Sequence, residues 1–566
     1  ILPLRTSNNC LKRFSEGFRS LRVERSHTRP GHTHAHSDSS ITQATTEKLS
    51  PLVASPISQR MHFSVGSLIF TPAPGENRLS SAGRICAVLA AGLFLLSSCE
   101  SVSPPDAKHH SSIKAPGHWI AGSSYHHDLI PDCNWVESFK APELTEYIGV
   151  VMTGNKDLKA AQSRIEIAGA NARIAGAELY PQLQGGFSGQ REQQIIVGFP
   201  LGPPGVPLSS LSNRFGLSLD LSWEIDLWGR IAAAKSAFVA EFEASTFDRS
   251  TAELSLAGQA AKTWFALAEA REQVQLSRSA IATFSETESA IRERFEQGIE
   301  ENGQNLASQL LLAEADVANA KDGLASREEL VGRTSRQLEV LAGSYPAGAA
   351  GKSASLPGFP GSVPADLPAT LLDRRPDLAA AERRIAAADK RLLEAKRSLL
   401  PALSLTGRYG TVSDDIGDLL DSDFSVWSIA GNLAQPILQG GRLRANVSKR
   451  DSELQLSATE FEKTALTAFA EVENALAAES FLNRRFEALT EASRLALAAY
   501  RRSLDEFDLG TGDILTVLTS QQRLFTSRSQ LLGVKRMRLD NRVDLYLALG
   551  GSFTPCEAPQ DKSPEN

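Results

Sequence analysis

The chain has 566 residues and a formal net charge of −7, unevenly divided: residues 1–98 carry +6, so the remainder carries −13. An acidic body excludes nucleic acid as a partner, because a phosphate backbone is held by basic surface. All ten histidines lie at or before His127, and no two of the five cysteines stand at metal-ligand spacing. The body therefore offers no Ser/His/Asp or Cys/His set, no metal site and no phosphate-cradling glycine loop, and neither an enzyme nor a bound cofactor is expected.

Residues 1–60 are rich in Ser, Thr, His and Arg, have no apolar period, and precede the first methionine, Met61. They read as a start site assigned too far upstream or as a disordered leader. Residues 61–98 read as a signal region: Arg78 and Arg84 precede the apolar run Ile85 to Leu96, which is too short to span a bilayer as a helix, and Ser97-Ser98-Cys99 follows it. A cysteine directly after such a cut resembles the lipobox of bacterial lipoproteins. That resemblance implies a diacylglycerol and acyl lipid on Cys99; the alternative is an ordinary signal peptide. Residues 99–134 read as a lipid anchor and solvated tether, including His126-His127-Asp128. Cys133 and Cys556 remain as a possible disulfide whose proximity the sequence does not show.

The body repeats itself. Asn155 to Leu183 aligns without gaps with Arg375 to Leu403 at an offset of 220, pairing Arg164 with Arg384 and Leu179 with Leu399. Farther on the offset is 212, pairing Gly229-Arg230 with Gly441-Arg442 and Gly298 with Gly510. A duplication this long predicts two copies of one architecture: repeat 1 over 135–343, an equatorial linker over 344–370, repeat 2 over 371–551, and a disordered tail over 552–566. Each copy reads helix, two strands, a very long helix, a turn and a returning helix.

The first helix of each copy ends before a proline, Pro181 or Pro401. Strands follow with a period of two: Leu183, Gly185, Phe187 and Gly189; then Phe215, Leu217, Leu219, Leu221 and Trp223, alternating with Gly216, Ser218, Asp220 and Ser222. Copy two has Leu403, Leu405, Gly407 and Tyr409 opposite Ser404, Thr406 and Arg408, then a weaker Trp427, Ile429, Gly431 and Leu433. The hairpin loops near 198–207 and 414–418 carry turn residues. The long helices span 230–297, with the single glycine Gly258, and 442–509, with neither glycine nor proline; each is roughly 100 Å if unbroken. A stripe of Leu482, Phe486, Leu489, Ser493, Leu497, Tyr500, Leu504 and Phe507 keeps to one helix face and suits coiled-coil packing. Tips at Gly298 to Gly303 and at Gly510 to Gly512 are followed by returns to Leu341 and Leu549, where Gly343 and Gly550-Gly551 provide caps. Glu471 and Glu473, in the second long helix, read as solvated.

Four strands are too few to enclose an aqueous lumen, yet a sheet edge cannot lie bare in hydrocarbon. If strands of about ten residues span a membrane, three chains sharing twelve strands satisfy both conditions. Tyr180, Trp223, Trp228, Tyr409 and Trp427 then suit an interfacial girdle or ordinary packing.

These residues resemble the TolC-like outer-membrane efflux family, in its NodT-type lipoprotein branch. The resemblance rests on Trp135, Phe139 and Pro142-Glu143-Leu144; on Glu224-Ile225-Asp226-Leu227-Trp228-Gly229-Arg230; on Leu372 to Leu378; and on Gln435 to Asn446. It implies a mainly α fold with a β-barrel part: a homotrimer with a twelve-stranded outer-membrane barrel, a twelve-helix periplasmic α-barrel and an equatorial layer. It also implies passive export as the exit duct of a tripartite system, with a periplasmic adaptor and an inner-membrane pump of the RND type as partners. Relatives often place acids six and nine positions after the tip glycine; here those positions hold Gln304 and Ala307, and Thr516 and Thr519. The implied gate, with Asp513 nearby, is polar and mostly uncharged. The implied adaptor-contact tips are Gly298, Glu300 and Glu301, and Gly510 and Gly512. A coiled-coil lipoprotein scaffold without a pore and an exit duct for type I protein secretion are the alternatives.

Overall fold

The structure is a computed structural model that describes residues 117–121, 135–196, 208–298, 306–361 and 374–551. Cys99, His126, His127, Asp128, Cys133, Glu300, Glu301, Gln304 and Cys556 lie outside the described residues. After a 3₁₀ turn at Trp135–Phe139 come α1 (Pro142–Gly154), α2 (Lys156–Ala177), β1 (Gln182–Ile196), β2 (Leu208–Ile225), α3 (Arg230–Glu296) and α4 (Leu306–Leu341). The second copy supplies α5 (Pro376–Arg397), β3 (Ala402–Ser413), β4 (Ser425–Ala434), α6 (Arg442–Asp508) and α7 (Ile514–Ala548). At 67 residues each, α3 and α6 have the lengths that the absence of helix breakers predicts.

The two copies use the same joints with different side chains. Asn155 caps α2, its Oδ1 accepting from the amides of Asp157 at 2.8 Å and Leu158 at 3.1 Å, while its Nδ2 donates to the last carbonyl of α4, that of Leu341, at 2.9 Å. The equivalent Arg375 donates to Ala548 O, at the end of α7, at 3.1 Å. Its guanidinium is also held by Asp377 at 2.7 Å and Glu471 at 2.6 Å. Likewise Trp223 Nε1 donates to Leu179 O at 2.9 Å, and Gln435 Nε2 donates to Leu399 O at 3.0 Å. Donor and acceptor are both related by the duplication, so each copy fastens its second strand to its first helix–strand turn.

The helices pack in two orders. Near the sheet the order is α2, α3, α5, α6; toward the tip it is α4, α3, α7, α6. Both halves are four helices wide, with α3 and α6 running through. The predicted stripe from Leu482 to Phe507 is buried or half-buried, and it faces α7. Gly258 allows a close approach between α3 and α7: a Cβ there would run into the Leu547 side chain.

About midway along α3, a belt covers one face. Trp135, Phe139, Leu144, Ile148, Ala354 and Leu356 pack around Ala257, Ala261, Trp264, Phe265 and Ala268, with Leu338, Val543 and Tyr546 closing the cluster. Trp135 stacks on Tyr546 with ring centroids 5.8 Å apart. Burying each large side chain of this kind stabilises by about 2–3 kcal/mol.

Two expectations are corrected. The stretch 99–134 is not wholly a solvated tether: Trp119 is buried against Phe469, and the amides of Ile120 and Ala121 each donate to a carboxylate oxygen of Glu473 at 2.8 Å. Glu473 therefore serves as a double acceptor and Glu471 as an ion-pair partner of Arg375, where both read as solvated charges. The strands are also unequal, at 15, 18, 12 and 10 residues instead of about ten throughout. The excess lies in the first hairpin, in the mostly polar stretches 190–194 and 210–214, which pair with each other beyond the apolar segment.

Candidate functional site

The sheet is antiparallel, in the order β1-β2-β3-β4, so β1 and β4 are its two free edges. Its register sorts the side chains. Leu183 lies opposite Leu221, Phe187 opposite Leu217 and Gly189 opposite Phe215. Leu219 lies opposite Tyr409, Trp223 opposite Leu405 and Ile225 opposite Leu403. Tyr409 in turn faces Trp427, Gly407 faces Ile429 and Leu403 faces Leu433. Since alternate residues of a strand share a face, all of these apolar residues lie on one side. The other side carries Gln184, Ser188, Ser218, Asp220, Ser222, Ser404, Thr406, Arg408 and Asn432. There Asp220 accepts from Ser218 at 2.7 Å and pairs with Arg408 at 2.5 Å.

Among the described residues, neither side has a covering layer. Leu183, Phe187, Tyr409, Trp427, Ile429 and Leu433 are each more than 60% exposed, and every residue of β4 is exposed. At the tilt of about 40° usual in membrane barrels, strands of 12 and 10 residues such as those of copy two would rise roughly 25–30 Å, the height of an outer-membrane apolar band. Tyr180, Trp223 and Trp228 mark the helix end of that band, and the Tyr409–Trp427 pair stands toward the far end.

The strand-to-helix joint explains the run from Glu224 to Arg230. Gly229 has φ +73°, and its carbonyl accepts from Arg397 at 2.7 Å. Asp226 accepts from the Ala232 amide at 2.7 Å, Trp228 Nε1 donates to Pro401 O at 2.7 Å, and Arg230 pairs with Glu224 at 2.9 Å. Gly441 repeats the left-handed conformation, with φ +82°. These contacts fix where the strands give way to helices.

At the other end, Gly298 and Gly510 have φ +68° and +71° and terminate α3 and α6. The amides of Thr511 and Gly512 both donate to Glu506 O at 2.9 Å, and a Cβ at Gly512 would meet the α6 backbone. Asp513 caps α7 by accepting from Leu515 N at 3.3 Å. Ala307, Thr516 and Thr519 are exposed on the first turns of α4 and α7, while Ile514, Val517 and Leu518 turn inward onto Ile291, Ala313 and Phe507. Sequence reasoning missed Arg294. Its guanidinium lies 3.7 Å over the Phe507 ring and donates to Phe507 O at 3.2 Å, joining the ends of α3 and α6. No spacing rule marks such a contact between copies.

Among the described residues no helix is long and apolar enough to cross a membrane. The family profile described as Outer membrane efflux protein matches residues 148–344 and 367–551. The solvent efflux pump outer membrane protein SrpC of Pseudomonas putida is 29% identical over 419 residues, covering 74% of this chain and 87% of that protein. The pyoverdine export outer membrane protein OpmQ of Pseudomonas putida is 28% identical over 476 residues, covering 82% and 97%. Among solved structures, the outer-membrane channel OprN superposes with a TM-score of 0.71 at 23% identity, covering 80% of this chain and 98% of OprN. The open state of the Neisseria gonorrhoeae MtrE outer membrane channel gives 0.68 at 26% identity, covering 78% and 96%. With the profile matching both copies, and the fold shared with these channels, the chain belongs to the outer membrane efflux protein family.

Proposed function

We propose that three copies of this chain close one barrel and form the passive exit duct of a tripartite efflux system, held in the outer membrane by its strands and by a lipid on Cys99. The observation that carries this reading is the sheet. It has two outer edges, one apolar face and one polar face, and nothing among the described residues covers any of them. Lipid against the apolar face and water against the polar face satisfy both, and edge-to-edge joining of β4 to the next β1 satisfies the edges. The helical body matches this arithmetic, since a ribbon four helices wide becomes twelve in three copies. Exposed apolar side chains also stand on its outermost helices: Ile167 and Ile174 on α2, Leu311 on α4, and Leu456 and Phe481 on α6.

The cargo is small organic molecules, as the relatives named for solvent efflux and pyoverdine export suggest. They are delivered by a periplasmic adaptor and an inner-membrane pump of the RND type. The tips at Gly298 and at Gly510 to Gly512 are the adaptor contacts. The gate is the mostly uncharged surface of Gln304, Ala307, Thr516 and Thr519, with Asp513 at the cap. This reading assigns no catalytic step. Single-channel recording on the reconstituted protein tests it: we expect long-lived openings with weak cation selectivity. Strong cation selectivity that persists in Asp513→Asn and Glu301→Gln would contradict an uncharged gate, and bilayers that stay silent under every condition would contradict the duct.

A further inference from the structure

A cavity of about 490 Å³ opens between α3, α4 and α7 in the tip half of the helical ribbon. Its volume falls in the range of small-molecule sites. One pole holds Asp316 beside two aromatic rings, Phe284 and Phe525, packed edge to face with centroids 5.4 Å apart. Asp316 on α4 accepts one hydrogen bond, from Gln522 on α7 at 2.7 Å, and makes no ion pair among the described residues. Burial pushes its carboxyl up from the ordinary value, and the Gln522 bond only partly opposes this. The other pole holds Arg327, eleven residues and so about 16 Å along α4. Its guanidinium is occupied, donating to Gln273 Oε1 at 2.8 Å and to Ser529 Oγ at 3.4 Å. Charge in the cleft is therefore polarised: at one pole Arg327 is held by two neutral acceptors, and at the other Asp316 has a single neutral donor.

We propose that this cleft is a resting site in the duct wall for an organic monocation bearing an aromatic ring. An ammonium or iminium group placed against Asp316 compensates a carboxylate that burial disfavours, a larger gain than at a solvated acid. The rings of Phe284 and Phe525 offer stacking and a cation–π face beside it. The site opens toward the duct interior. Ser277 and Phe284 in its lining follow Ala268, which lies under the belt, by nine and sixteen residues, hence by about 180° and about 160° around α3. The belt occupies the outer face, so the cleft occupies the inner one. This assignment of faces rests on the duct reading.

The test uses the full-length protein reconstituted in lipid nanodiscs, with ethidium as the probe and its fluorescence as the readout. We expect saturable ethidium binding that weakens at least tenfold in Asp316→Asn, which keeps the acceptor for Gln522. We also expect a three- to tenfold weakening in Phe525→Leu, while a neutral naphthylamine probe is little affected by Asp316→Asn. No saturable ethidium binding, an affinity unchanged within twofold in both variants, or equal binding of the anionic anilinonaphthalene sulfonate would overturn the proposal. Conductance of the same wild-type preparation separates the two readings. A conducting channel that ignores ethidium removes the resting site alone, whereas one that never conducts removes the duct beneath it.

Discussion

Gly298 and Gly343 have nearly the same backbone conformation, φ +68° and +73°, but different surroundings. No atom of the described residues lies within 4 Å of a Cβ built on Gly298, whereas one built on Gly343 would run into the carbonyl of Gly154, and one on Gly154 into the carbonyl of Ala342. Gly298→Ala should therefore cost about 1 kcal/mol, for the left-handed backbone alone. Gly343→Ala should cost about 3 kcal/mol or more, because two backbones in the belt must separate. Thermal unfolding of the two purified variants checks this, and equal midpoints would refute it. All four end glycines, 298, 343, 510 and 550, were legible in the sequence, because only glycine adopts this conformation without strain. The crowding around Gly343 was not, since it depends on a contact across 189 positions of sequence.

At the scale of elements, α3 and α7 meet through a charged seam as well as through Gly258. Arg536 pairs with Glu269 at 2.7 Å and with Asp540 at 2.5 Å, and Lys262 pairs with Asp544. Burial lifts the Asp540 carboxyl from 3.8 to about 6; Arg536 and Lys262 oppose the rise, and Asp544 and Glu269 add to it. Because the folded value exceeds the unfolded one, the folded chain holds a proton between pH 4 and 6 that the unfolded chain has released. This group's contribution is therefore fully present below about pH 4, and stability declines as pH rises through 6. The loss amounts to about 3 kcal/mol per chain. Asp540→Asn should flatten that part of the curve, so the midpoint difference between variant and wild type should grow in the variant's favour from pH 4 to pH 7. A constant difference would show that burial does not govern this carboxyl.

The strand faces and helix lengths were legible because each follows from a period or from an absence of breakers. The docking of 117–121 was not, because a single tryptophan in a Ser/Pro/His-rich stretch has no period. Its partners, Phe469 and Glu473, lie some 350 residues away. The length of the first hairpin was obscured for a related reason: its outer part keeps only Ile195 and Leu211 on the apolar side among polar residues, so the alternation that marks a strand fades there.

At the scale of the whole molecule, the question is what one chain leaves unfinished. The sheet ends in bare edges at β1 and β4, and the ribbon ends at α6 on one side and at α2 and α4 on the other. The duplication makes these boundaries alike in kind, since what one copy offers the other within a chain is what one chain offers its neighbour. Intact-complex mass measurement in mild detergent is the most direct test of this completion by neighbours. The account predicts a single assembly of three chains that survives Cys99→Ala, because strand and helix edges hold it together rather than the lipid. A stable, folded single chain as the dominant species would contradict it.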